Sequence, residues 1–345
     1  MSFSTRYGSF RRIRLIRYLV AWRVNSSLVT LPKCFAVELS QVLGTIISNR
    51  LPTREAAPWQ KALSPLNQYF DTDPGGGKGP HKAAHVPDVS WPIDSVLFVH
   101  PGKSTYGLGE LIFWELKLFG DGADHGFFLE TILPAMEEAG YTTDPRWNRT
   151  NKIWGRFEIQ AVYAARGSSW EPLVSNGRLD TRARVTASQW ADGLTFGAHV
   201  DRPLRQLIWL TPFKLQGLTD GSRASADDNQ AEATNRLAFT MTAVLNGLLL
   251  RLTLPAPGRR KGADYARVVL DGDGLFILRE ALLQAIQAPL LFKDLEPVSR
   301  KCPGQWTGKH VFAPIPREII PCLELASILH IGKYVHFGCG TFRLE

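Results

Sequence analysis

Three glycines near the C-terminus, Gly332, Gly338 and Gly340, enclose Lys333, Tyr334, His336 and Phe337. Glycine lets a backbone turn tightly and approach a ligand closely. Successive N–H groups in such a loop can form a nest for phosphate. Lys333 adds a mobile charge, and the aromatic rings offer faces on which bases stack. Histidine gives and takes protons near neutral pH. His336, and His330 at the end of the preceding apolar stretch, are therefore candidates for acid–base chemistry. The same spacing also suits a tight turn between a helix and an edge strand, with His330 as a structural contact.

The other histidines carry weaker signals. His81 and His85 are four apart and could share a helix face as metal ligands, but Asp88 is the only carboxylate close by. A surface position suits them better, so no metal site is expected. His125 falls in a turn, and His199 has no evident partner. In Gly308-Lys309-His310 the two basic side chains could touch RNA. Gly75-Gly76-Gly77-Lys78-Gly79 lacks the spacing of a P-loop. Asp271-Gly272-Asp273-Gly274 lacks the remaining ligands of a calcium loop.

Several elements must position these residues. Residues 11–24 alternate like a strand with one basic face, which includes Arg12 and Arg14. Helical spacing covers roughly 33–50. Residues 51–92 are rich in Pro, Gly and polar types, which predicts a long loop. Strands are expected at 95–100, 110–120, 155–164 and 204–215, and helices at 127–139, 228–252, 274–288 and 319–329. A last strand, 341–344, follows the glycine loop. Strands mixed with helices, without regular βαβ alternation, argue for an α+β chain. A repeated strand–helix–strand grouping is compatible with two ferredoxin-like units in tandem, divided at 106/107.

The 345 residues carry a net charge of +8, which favours an anionic partner. The excess begins early: residues 1–37 hold six arginines and Lys33 with no acid. That composition also fits an organelle transit peptide, although the alternation argues against one. No apolar run reaches the roughly 20 residues that cross a bilayer, so no membrane partner is expected. Cys34, Cys302, Cys322 and Cys339 form no CxxC pair and do not read as a disulfide framework. A reducing, cytoplasmic setting fits.

The segment 316–345, PREIIPCLELASILHIGKYVHFGCGTFRLE, resembles the closing signature of the CRISPR guide-RNA-processing endoribonucleases of the RAMP superfamily. His330-Ile331-Gly332-Lys333 and Gly338-Cys339-Gly340 carry that likeness. The strand 109–120, Gly155-Arg156-Phe157, and Thr211-Pro212-Phe213-Lys214 with a later arginine (Arg236 or Arg251) follow in the same order. The resemblance covers about 107–345. It implies tandem ferredoxin-like (RRM-like) domains that bind a CRISPR repeat RNA and cut it once without metal or other cofactor. The ribose 2′-OH would attack the adjacent phosphate and leave a cyclic phosphate. That chemistry needs a base, a proton donor and a cation.

The chain departs from the family where many members place a histidine, because residues 1–80 contain none. His85 from the long loop, or His336 or His330, could fill the role. Alternatively the chain cuts slowly with Tyr18 and Lys33, or only binds the guide RNA handle beside other CRISPR effector subunits. The residues expected on RNA are Gly332, Lys333, Gly338, Gly340, Lys309, Arg12 and Arg14.

Overall fold

A computed structural model describes residues 8–71, 85–142, 154–197, 202–215, 239–253 and 269–345. His81, the glycine run 75–79, His199, Arg236 and the start of the helix expected at 228 lie outside them. The chain is α+β.

Strand β1, Leu15–Val24, is built from alternating β-branched and aromatic residues. Ile16, Tyr18, Val20, Trp22 and Val24 enter one core, while Arg17 and Arg23 take the opposite face. Arg12 and Arg14 precede the strand, Arg12 in the tight turn Gly8–Arg12, so the basic face of β1 belongs to other arginines than those expected.

Helix α1, Phe35–Arg50, and helix α2, Thr53–Asp71, follow a short strand β2, Leu28–Thr30. The expected loop at 51–92 is therefore helical through most of its first half. Ala56, Trp59, Leu63 and Leu66 recur on one buried face, and this outweighs two prolines inside the helix. Strands β3, Ser95–Val99, β4, Thr105–Gly107, and β5, Leu111–Phe119, come next. A helical passage from His125 ends in α3, Leu133–Tyr141. Then come β6, Phe157–Arg166, β7, Ser169–Ser175, and β8, Arg178–Leu179.

These strands form a six-stranded antiparallel sheet in the order β3-β5-β1-β6-β7-β8, while β2 pairs with β4. The second part runs β9, Gln206–Phe213, helices α4, Met241–Thr253, and α5, Gly272–Gln284, strands β10, Leu290–Pro297, and β11, Trp306–Phe312, helix α6, Ile320–Leu329, and β12, Phe342–Leu344. Its sheet order is β10-β11-β9-β12, again antiparallel.

The two parts share one connectivity. In each, the first strand lies between the third and the fourth, and the second strand lies outside the third. A division at 106/107 does not separate the two sheets, because β5 and β6 both pair with β1. Each sheet has its own apolar core.

Cys34, just before α1, is disulfide-bonded to Cys302 in the β10–β11 connection, with Cα atoms 5.5 Å apart. This corrects the reading of the cysteines as unpaired for two of the four; Cys322 and Cys339 are free and buried. Sequence spacing hides the pair because 268 residues separate its members. Among the described residues no helix is long and apolar enough to cross a membrane.

Candidate functional site

The glycine loop runs from the end of α6 to β12 and is docked onto both sheets. Gly332 has φ +96°, and a Cβ there would stand 2.6 Å from the Lys214 carbonyl at the end of β9. Gly338 has φ +75°, and its Cβ would stand 2.6 Å from the Leu97 carbonyl of β3. Both positions therefore require glycine for conformation and for space. Gly340 is held by a bond from its amide to the Pro212 carbonyl.

The amides of Lys333, Tyr334, Gly338 and Gly340 donate to Lys214 O, Asp88 Oδ1, Val335 O and Pro212 O. They already have protein acceptors, so the glycines serve close backbone packing more directly than an open phosphate nest.

His336 is buried where this loop meets the first unit. Its Nε2 lies 2.7 Å from Ser40 Oγ of α1, and its Nδ1 lies 3.0 Å from the Ser95 carbonyl of β3. A ring with Nδ1–H donating to that carbonyl and Nε2 accepting from the Ser40 hydroxyl satisfies both contacts. Burial pushes its pKa down to about 4. His330 is also fully buried. Its Nδ1 lies 3.1 Å from the carbonyls of Gly338 and Cys339, and its Nε2 lies 3.0 Å from Lys117 Nζ. Burial first, then the Lys117 charge, hold it well below the usual histidine range. Both rings are neutral cross-bridges between the units.

Beside His336 a cleft of about 230 Å³ opens at the seam, lined by Asp88, Ser90, Asp94, Arg251, Lys333 and Tyr334 among others. Arg251, on α4, makes a two-pronged bond to Asp94 at 2.6 and 2.7 Å and a further bond to the Leu329 carbonyl. Lys333 is exposed at the rim. Partial burial raises the Asp88 pKa against the opposing pull of the Tyr334 amide, Lys333 and Lys214. His85 is exposed, three residues before Asp88. Chemically, the cleft offers Lys333 as an exposed cation for a phosphate, with the Arg251–Asp94 pair also in its lining.

The remaining predicted residues lie elsewhere. Lys309 sits on β11 opposite Ile208, its ammonium 3.9 Å from Asp294, and does not line the cleft. Arg12 is paired with Asp271 at 2.6 Å, and Arg14 stands 3.7 Å from Asp121. His310 is fully buried, stacked on Phe239 and 3.1 Å from Trp209 Nε1, and its pKa is pushed down to about 3 by burial. Contact between His310 and RNA is excluded by that burial.

A charged group went unnoticed in the sequence. On the face of the first sheet turned away from its helices, Arg17 donates to Glu115 at 2.5 Å, and Lys117 Nζ donates to the Ile328 carbonyl at 2.7 Å. Burial alone would raise Glu115, but Arg17 and Lys117 hold it below its ordinary value. Burial lowers Lys117 to about 8. The clue was the alternation in ELIFWELKLF, where Glu115 and Lys117 interleave with Trp114, Leu116 and Leu118.

No family model matches the chain, and no curated protein matches it. Among solved structures it is similar to a chain of a partial Cas6-RT-Cas1–Cas2 complex, with 11% identity and a TM-score of 0.49 over 96% of this chain and 46% of that one. It is similar to the same degree to a chain of the Cas6-RT-Cas1–Cas2 complex, of which 29% is covered. The chain thus spans less than half the length of these solved chains.

Proposed function

We propose that this chain binds CRISPR repeat RNA at the seam cleft and cuts it there without metal. The observation that carries the RNA-binding part is the exposed Lys333 on a loop clamped between two sheets of the same connectivity. That connectivity, strand–helix–strand–strand–helix–strand, supports reading each unit as ferredoxin-like. The ordered C-terminal motifs and the +8 charge support the same assignment.

In this proposal Lys333 meets the phosphate charge that develops as the 2′-OH attacks. Of His85, His330 and His336, His85 takes the proton-moving role, because it is exposed while the other two have both ring nitrogens engaged. The glycines 332, 338 and 340 present Lys333, and Arg12, Arg14 and Lys309 act at a distance on RNA phosphates.

Incubating the purified protein with its repeat RNA in EDTA tests the proposal. Cleavage should persist, and His85→Ala should slow it by about 100-fold or more without shifting the melting temperature. A second reading, a non-cleaving subunit that holds the guide RNA handle within a CRISPR effector complex, is favoured by the engaged state of His330 and His336. Tight RNA binding with no product in any buffer would select it.

A further inference from the structure

The cleft accounts for little of the chain's positive charge. Many described arginines, among them Arg12, Arg17, Arg23, Arg50, Arg166 and Arg251, sit against an acid. Arg178, Arg182 and Arg184 fall within seven residues, are exposed, and have no ion-pair partner among the described residues.

The local fold explains why they point outward. Ala183, Val185 and Ala187 pack against the first core, so the alternate residues Arg182, Arg184 and Thr186 face solvent. In an extended chain the two arginines stand about 6.6 Å apart. The Leu15 amide donates to the Ala187 carbonyl at 2.8 Å, and Trp190 Nε1 donates to the Ile13 carbonyl at 2.8 Å. These bonds lay the segment beside the start of β1 and bring Arg14 and the Gly8–Arg12 turn next to it.

Residues 8–14 and 176–190 together hold six arginines and one acid, Asp180. The Asp180 carboxylate accepts from the Arg182 amide. Two other acids face the strip, Asp121 towards Arg14 and Asp271 towards Arg12. Asp124 and Arg184 pull the His125 pKa in opposite directions, and the Asp124 carboxylate caps the helical turn that starts there. A solvated loop needs no such excess of arginine over acid. A surface that holds several phosphates of a polyanion does, and guanidinium groups grip phosphate in two-pronged geometry.

We infer that the strip of Arg178, Arg182 and Arg184, continued by Arg11 and Arg14, is a second RNA-backbone contact, separate from the seam cleft. It takes the phosphates of RNA that runs beyond the segment held in the cleft. The inference rests on the RNA-binding proposal above.

The test uses the full chain, a labelled uridine 30-mer and filter binding over a series of KCl concentrations. The variant is Arg178→Ala/Arg182→Ala/Arg184→Ala. Its control is Arg279→Ala/Arg300→Ala/Arg317→Ala, which removes equal charge from exposed positions on the second unit. The strip variant should bind at least tenfold more weakly at low salt. Its log–log salt slope should fall by about 2, since each single-strand phosphate contributes roughly 0.7. The control should keep most of the slope. An unchanged slope in the strip variant, or an equal loss in the control, would overturn the inference while leaving RNA binding intact. A wild-type protein that binds no RNA would overturn the RNA-binding proposal and this inference with it.

Discussion

His336 joins a hydroxyl of α1 to a carbonyl of β3 while belonging to the glycine loop, so one neutral ring ties three elements. Its neutrality has a pH consequence. The folded pKa of about 4 lies below the ordinary 6.5, so the unfolded chain binds the proton more readily. The contribution to stability is complete above pH 6.5 and is lost as pH falls towards 4. A depression of that size corresponds to about 3 kcal/mol. His310, pushed down to about 3, and His330 act in the same direction. The melting temperature should therefore fall steadily from pH 6.5 to 4, and His336→Gln should flatten that dependence while lowering stability at pH 7. A pH-independent melting curve for the wild type would contradict the burial of these rings. Lys333 is the opposite case, an exposed side chain without structural duty. Lys333→Ala should leave the melting temperature unchanged and weaken repeat RNA binding by about 10-fold or more, the loss expected for one charge-assisted phosphate contact.

At the scale of elements, the glycine loop works as a rivet, and Gly338 is where it closes on β3. Gly338→Ala would set a methyl 2.6 Å from the Leu97 carbonyl at φ +75°. A cost of about 1–3 kcal/mol follows from the strained backbone alone, read as a lower urea midpoint. Gly109→Ala, also at positive φ but with no atom near its Cβ, should cost less and so isolates the effect of close packing. The loop was legible in the sequence because glycine at fixed spacing has few other uses. Strands β1, β5 and β6 were legible because alternation survives wherever one face is buried. Helix α2 was not, because Pro58 and Pro65 break the local signal even though the apolar stripe from Ala56 to Leu66 persists. Strand β10 was hidden for another reason. It is a sheet edge with Leu291 and Phe292 both exposed, so no period of two marks it. The charged group of Arg17, Glu115 and Lys117 was missed because its members come from two strands that only the register brings together.

At the scale of the whole molecule, the two units are fastened twice through α1. Ser40, inside the helix, holds His336 of the second unit, and Cys34, at its start, holds Cys302. The Arg251–Asp94 bridge and the Lys117 bond to the Ile328 carbonyl add polar links across the same seam. A cross-link between residues 268 apart removes much of the freedom of the unfolded chain, and such bonds typically contribute about 2–4 kcal/mol. Thiol titration of the oxidised, unfolded protein should find two reactive cysteines, Cys322 and Cys339, rather than four. Dithiothreitol should lower the melting temperature of the wild type, and Cys34→Ser/Cys302→Ser should show the lowered value with or without reductant. Because the polar links stay in place, the reduced protein should still fold, and its seam should exchange amide hydrogens faster at Ser95–Val99 and 331–341 than the oxidised one. Four reactive thiols, or melting indifferent to reductant, would leave His336, Arg251 and Lys117 as the fastenings on which the geometry of the cleft depends.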